Sequence, residues 1–401
     1  MTHTTPNPLP AWSLHAPLIT PPPLTNHFSP LTSHVVLKLL PRRRMSSNAI
    51  SLALLFLCFW CRAFAAEVAG FTQPTADHPL KVKVVVLAMF ENGADTGDAP
   101  GEYQFWVERR KMDYVIALPA AFHDVRTDNL GVIATVTGEG TAKSATSVMA
   151  LGLDPRFDFS EAYWLVAGIA GIDPDRGTVG SAVWADYVVD GDLAHEIDAR
   201  EIPSNWPDGF TPLEKTKPFD LPRPTPMGEV YTLNAKLVDW AYQLTKDIRL
   251  TDNEKAHADR IRYIGHQAAL AEPKVFVGAT LSSSTYWHGK LLNEWARAWV
   301  KYWTDEKGQY FTTAMEDTGT MQALTNLAKA GRADLNRVLV LRTASNFDSP
   351  PPGITAAQDL ADQETGQYSA YIPSLDAAFK VGNRVVSEIV DHWDVYEKKT
   401  P

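Results

Sequence analysis

The chain has 401 residues, 47 acidic against 37 basic side chains and a formal net charge of −10. So acidic a balance excludes nucleic acid and anionic membranes as partners. The only two cysteines, Cys58 and Cys61, fall in a segment expected to be removed, which excludes disulfides, thiolate metal sites and cysteine nucleophiles from the mature protein.

Residues 1–65 read as a leader and cleavable signal peptide. Residues 1–40 are rich in Pro, Thr and Ser and poor in charge, a composition that cannot bury a core. Arg42, Arg43 and Arg44 form a basic n-region, Ala49 to Trp60 a short apolar region, and Ala63-Phe-Ala65 a small-residue cleavage site. Met45 is an alternative start. The apolar region is short for a bilayer span, and no run of about 18 apolar residues follows it. The expectation is therefore export to a periplasmic or extracellular location, with no transmembrane segment in the mature chain. Loss of Lys38, Arg42, Arg43, Arg44 and Arg62 takes the formal charge from −10 to −15.

Residues 66–401 are expected to form a single domain. The β-branched run at 81–88 predicts a strand buried on both faces. Further strands are expected at 113–118, 131–137, 163–167, 180–189, 275–279 and 337–343. Helical patterns fall at 101–110, 141–152, 229–246, 252–270, 289–303 and 319–331, and a last helix runs from about Gly366 or Leu375 to Tyr396. Residues 190–228, rich in Pro, Asp and Trp, read as an irregular insertion. Strands alternating with helices predict an α/β fold, a three-layer αβα sandwich around a mixed, largely parallel sheet.

Six segments carry chemical promise. Leu87-Ala-Met-Phe-Glu-Asn92 ends the first strand, and Thr137-Gly-Glu-Gly-Thr-Ala-Lys-Ser-Ala-Thr146 opens a helix whose N-terminus offers unpaired N–H groups. Gly168-Ile-Ala-Gly171 reads as a small-residue loop where backbone can approach a ligand closely. Ser282-Ser-Ser-Thr-Tyr-Trp-His288 supplies adjacent aromatic rings, Ala314-Met-Glu-Asp-Thr318 an acid at a helix start, and Val338-Leu-Val-Leu-Arg-Thr-Ala-Ser-Asn-Phe-Asp348 a buried strand with a polar end.

In this order the segments resemble the purine nucleoside phosphorylase/nucleosidase superfamily, and within it the family named purine nucleoside permease, over residues 80–401. The resemblance implies a nucleoside phosphorylase-like fold and a purine nucleoside as ligand. It assigns Met89 to the sugar and Glu91, or Asn92 beside it, to orienting water. Gly168, Ile169, Ala170 and Gly171 would meet the sugar side, Tyr286 would stack on the base with Trp287 beside it, and Met315 and Glu316 would hold the ribose. An ionised carboxylate accepts from both ribose hydroxyls, and such charge-assisted bonds are strong. Asn346 aligns with the acid that acts at purine N7, with Asp348 two residues on. An Asn there suits 6-oxopurines; otherwise Asp348 is the acid, its pKa raised by burial. His195, Asp198 and His288 are further candidates for the base pocket.

Two reactions are open, both through an oxocarbenium-like state. Phosphorolysis would take inorganic phosphate as co-substrate, but Val166 and Ile169 stand where polar phosphate ligands are needed, leaving Arg109, Arg110, Arg126 or a neighbouring subunit as substitutes. Hydrolysis would use Glu91 and a bound water. A non-catalytic nucleoside-binding component of uptake is the competing class. No other cofactor and no metal set is expected, and homo-oligomerisation follows from the resemblance.

Overall fold

The computed structural model describes residues 71–366 and 368–401; the leader and signal peptide expected at 1–65 lie outside them. Ten strands make the main sheet: β1 (Val84–Ala88), β2 (Tyr114–Ile116), β3 (Val125–Thr127), β4 (Val132–Val136), β5 (Tyr163–Ile172), β6 (Ala182–Asp190), β7 (Val230–Thr232), β8 (Val275–Ser282), β9 (Tyr310–Ala314) and β10 (Val338–Phe347). The helices are α1 (Gln104–Arg110), α2 (Thr141–Leu153), α3 (Ala235–Thr245), α4 (Glu254–Arg260), α5 (Lys290–Trp303), α6 (Asp317–Lys329), α7 (Ala356–Gly366), α8 (Tyr371–Asp391) and α9 (Trp393–Tyr396).

The sheet order is β7-β6-β8-β9-β5-β1-β4-β3-β2, and β10 pairs with both β5 and β6. That double pairing closes β6, β8, β9, β5 and β10 into a ring, while β1, β4, β3 and β2 continue outward from β5. Closure removes unpaired edges within the ring, while β7 and β2 remain the two ends of the sheet. The sheet is mixed. β1 is parallel to β4 and β5, β5 to β10, and β8 to β6 and β9; the other pairings are antiparallel. The α/β class and the mixed sheet agree with the sequence expectation, whereas the closed ring is invisible in a list of strands.

Helix α8 packs on β10 and β5, burying Val381, Val385, Val386 and Ile389 at the spacing of one helical stripe. Helices α2 and α6 pack against each other. A separate aromatic cluster gathers Trp295, Trp299, Tyr302 and Trp303 of α5 under Phe210 and Phe219. Those two come from the segment expected as an insertion, whose regular structure is one short antiparallel pair, Ala194–Glu196 with Phe210–Pro212.

Two expected helices are shorter than their sequence patterns. The one at 252–270 stops at Arg260, ahead of Gly265 in the left-handed region (φ +100°). The one at 229–246 splits, because Val230–Thr232 pairs with β6 and Asn234 then caps α3 by accepting from the Lys236 N–H. Conversely, strands β5, β8 and β10 run on through small and polar residues to Ile172, Ser282 and Phe347. Gly168–Gly171, expected as a loop, is therefore strand. These extensions carry the site residues.

Candidate functional site

The ends of β1, β5, β8, β9 and β10 converge on a cavity of about 390 Å³. Met89, Ile169, Ala170, Gly171, Tyr286, Trp287, Met315, Glu316, Asn346 and Asp348, all named from sequence, line it. Asn92 does too. Glu91 and Gly168 do not, and neither do the further candidates His195, Asp198 and His288.

Glu91 is a helix cap. Its carboxylate accepts from the backbone N–H groups of Gly101, Tyr103 (3.0 Å) and Gln104 (2.6 Å) at the start of α1, satisfying donors that a helix N-terminus leaves open. The acid that does reach the cavity is Glu102. Its Oε2 accepts from the Met89 N–H (2.7 Å) and its Oε1 from the Ile169 N–H (2.6 Å). Burial pushes the Glu102 carboxyl up to about 8, against the pull of Arg342. Gly168 lies behind this acid. A Cβ there would collide with Met89 Cε and stand 2.6 Å from Glu102 Oε1 and 2.7 Å from Arg342 Nη1.

Arg342 organises this end. The register of β5 and β10 sets it opposite Gly168, and the absent side chain makes room for a guanidinium inside the sheet. Arg342 donates to Asp317 Oδ1 (2.7 Å), to Glu316 Oε2 (3.1 Å) and to the Ile169 carbonyl (3.1 Å). Glu316 also accepts from the Gly140 N–H (3.2 Å), where Gly140 takes φ +89° to open α2. Glu316 is buried, and that burial raises its pKa although Arg342 opposes it. Cavity-lining Glu316 thus has one fixed cation behind it.

The opposite end is built by β10. Its pairing with β5 shifts register between Ala344 and Asn346, an irregularity that re-aims the side chains following it. Asn346 Oδ1 accepts from the Ser345 hydroxyl (2.8 Å), and its Nδ2 donates to the Tyr286 hydroxyl (2.9 Å) and the Phe347 carbonyl (3.0 Å). Asp348 is buried and accepts from Asn293 Nδ2 (3.0 Å) and the Tyr310 hydroxyl. Desolvation first, and then the neighbouring Asp173, push its carboxyl well above the usual carboxylate range. Asp173 is itself held by Arg297.

Sequence reading missed a third wall. Helix α7 contributes Gln363 and Glu364, the segment after it Tyr368, and the start of α8 Tyr371. Gln363 Oε1 accepts from the Tyr286 hydroxyl (3.1 Å), and its Nε2 donates to Asp359 Oδ2 (3.0 Å). His288 lies behind this wall, buried, with Nε2 2.9 Å from Asp359 Oδ2. His195 and Asp198 are not on the cavity lining, and Asp198 pairs with Arg200. The residue types of α7 gave no motif; the usable signal for Glu102 was an acid in the first turn of the helical pattern expected at 101–110.

Among the described residues, the lining holds five acids (Glu102, Glu139, Glu316, Asp348, Glu364) and no Lys, Arg or His. The arginines considered as phosphate ligands are engaged elsewhere: Arg109 with Asp376, Arg110 with Asp128, Arg126 with Asp95. No group of three or more His, Cys, Asp or Glu that could hold a metal ion occurs among the described residues, and no helix there is long and apolar enough to cross a membrane.

The sequence model of the family described as purine nucleoside permease matches residues 81–401. A purine nucleoside permease from Candida albicans is 32% identical over 323 residues, covering 79% of this chain and 77% of that protein. A probable purine nucleoside permease from Schizosaccharomyces pombe is 31% identical over 330 residues, covering 79% of this chain and 91% of the other. Similar solved structures include a Streptococcus pneumoniae MTA/SAH nucleosidase in complex with 8-aminoadenine. It is 15% identical with a TM-score of 0.44, covering 76% of this chain and 99% of that one. The family assignment rests on the sequence matches.

Proposed function

From a chain that belongs to the purine nucleoside permease family, we propose that this cavity binds purine ribonucleosides and cleaves their N-glycosidic bond with water. The observation that carries the reading is the pair of buried, upward-shifted carboxyls, Glu102 and Asp348, in one cavity whose lining offers an anion no cation. A co-substrate phosphate would meet acids and no cation on this lining, and an anion left unpaired in a partly desolvated cavity is costly. Water carries no such penalty.

In this reading Glu316 accepts the ribose hydroxyls, and Met89 and Met315 pack on the sugar. Asp348 gives its proton to purine N7 as the C1′–N9 bond breaks and its electron pair leaves with the base. A carboxyl kept protonated near neutrality by burial can act as that acid. Glu102 takes the proton of the water that adds to C1′, so the products are free base and ribose. The water-orienting role expected for Glu91 thus passes to Glu102, which faces the cavity.

A second reading keeps the binding and drops the chemistry, as the family description, a permease, favours. One assay separates them. The protein is incubated with inosine, guanosine or adenosine, with and without phosphate, and free base is followed. Base release that ignores phosphate is the expected result. Release that requires phosphate overturns water as the nucleophile, and intact binding with no release overturns the enzyme. Export and homo-oligomerisation belong to the same proposal and are read from secretion of the tagged chain and from its mass in solution.

A further inference from the structure

We propose that the free purine base leaves through a second cavity, a polar groove between α4 and α7, and that Gln363 is the gate into it. The inference rests on the nucleoside reading above and adds the route taken by one product.

The second cavity has a volume of about 260 Å³. Ala258, Asp259 and Arg262 line it from α4 and the turn after it, and Asp359 and Gln363 line it from α7. Asn346 and Gln363 line both cavities, and these two amides form the wall that the cavities share. The wall stands beside Asp348, at the base end of the nucleoside cavity in the reading above.

Its two halves are held differently. Asn346 is buried and fixed by the Ser345 hydroxyl, the Tyr286 hydroxyl and the Phe347 carbonyl. Its contact with Gln363 Oε1, at 3.5 Å, is the longest of its bonds and the weakest. Gln363 bonds to Asn346, Tyr286 and Asp359, and each of them has another partner. Tyr286 keeps Asn346, Asn346 keeps Ser345 and Phe347, and Asp359 keeps His288 at 2.9 Å. Gln363 can therefore swing out without orphaning a buried polar group, and its own half-buried amide can bond to water instead. The helix that carries it permits the motion. Of the described side chains of α7, only Asp359 is buried, so no apolar stripe anchors the helix. Few buried apolar contacts mark a segment that opens locally.

The groove suits a neutral, polar passenger. Arg262 is 3.1 Å from Asp259 and 3.8 Å from Asp359, so these charges satisfy one another. A free base meets donors and acceptors there without an ion pair to hold it. Ribose, held by Glu316 in the reading above, is left to the mouth by which the nucleoside entered.

Trp287 lines the nucleoside cavity, so stopped-flow tryptophan fluorescence of the full chain can follow hypoxanthine and inosine. Ala258 is exposed on α4 and is not on the nucleoside cavity, so Ala258→Phe narrows the groove alone. Narrowing a route slows entry and exit alike. Hypoxanthine association and dissociation rates should both fall by about tenfold with Kd unchanged, while the rates of inosine stay as they are. Gln363→Ala removes the gate and should raise both hypoxanthine rates, which keeps the test decisive if Ala258→Phe fails to fold. Hypoxanthine rates that ignore both substitutions overturn the route and leave the nucleoside reading intact. Equal slowing of inosine makes the groove a common entrance and overturns it as a product exit. If neither ligand binds, the nucleoside reading falls and the route falls with it.

Discussion

At one end of the cavity the polar groups are charged, buried and rooted in the sheet; along the α7 wall they are neutral and carried by a mostly exposed helix. Glu316, Asp317 and Arg342 are 4%, 0% and 1% exposed, and each holds another. Gln363 is half-buried, and its orientation depends on one buried acid of its own helix. The difference separates two tasks. A fixed, buried carboxylate makes strong charge-assisted bonds, whereas neutral amides act through the donors and acceptors they leave unpaired. Asp348, just past the end of β10, lines the same cavity.

The largest effect should come from Asp348. Asp348→Asn keeps the size of the side chain and one acceptor oxygen beside Asn293 and Tyr310 but removes the transferable proton. General-acid catalysis is typically worth about 10²- to 10⁴-fold, so base release should fall by that order while nucleoside binding changes little. Equal loss of binding would mean that Asp348 supports the pocket rather than the chemistry.

Next is Glu316→Gln, aimed at the charged end. An amide can accept one hydroxyl but loses charge assistance, a difference of about 1.5–3 kcal/mol, or roughly 10- to 150-fold in Kd. The loss should appear with ribonucleosides and be nearly absent with free bases, as equilibrium dialysis of both ligands would reveal. If bases lose affinity equally, the division of labour between the two ends is wrong.

A pH series sharpens the same contrast. The Glu102 carboxyl is raised from 4.5 to about 8 in the folded protein. The folded state therefore holds its proton more tightly than the unfolded chain does. Its stabilising contribution is complete below pH 4.5 and is lost as pH rises toward 8. Thermal unfolding of Glu102→Gln should lose part of the decline in Tm between pH 5 and 8, since the variant has no proton to lose. An unchanged slope would mean that Glu102 ionises in the fold as freely as in solution. The catalytic reading adds that base release by the unaltered protein should fall below about pH 8, as the Glu102 base becomes protonated.

Much of the sheet and most of the cavity lining are legible in the sequence, for an identifiable reason. Buried strands declare themselves by β-branched runs, and Met315-Glu316 or Asn346-Phe347-Asp348 stands at the end of such a run, where strand ends meet. Ring closure was hidden because it depends on β10 finding two partners, a long-range choice that no local pattern encodes. Strand lengths were underestimated wherever the pattern turned small or polar, since Gly168 and Asn346 look like turn residues although both lie in ladders. Gln363 escaped because its value lies in orientation, set by Asp359 one helical turn away; neither residue type announces it.

The smallest effect concerns the acid that sequence order placed nearest the first strand. Glu91 and Glu102 are eleven positions apart, and only the fold distinguishes them: one caps α1, the other enters the cavity. Replacing a capping side chain by Ala typically costs about 1 kcal/mol, and Glu91 accepts from several N–H groups of the α1 entry. Glu91→Ala should therefore lower the stability measured in urea by about that amount and leave the rate of base release per folded molecule near that of the unaltered protein. The expectation for Glu102 is the reverse, because its carboxylate lines the cavity and is the group proposed to take the proton of water. If Glu91→Ala abolished turnover in a fully folded sample, the loop joining β1 to α1 would have to move Glu91 into the cavity when substrate binds. The assignment of the water-facing acid would then return to the residue that the sequence first suggested.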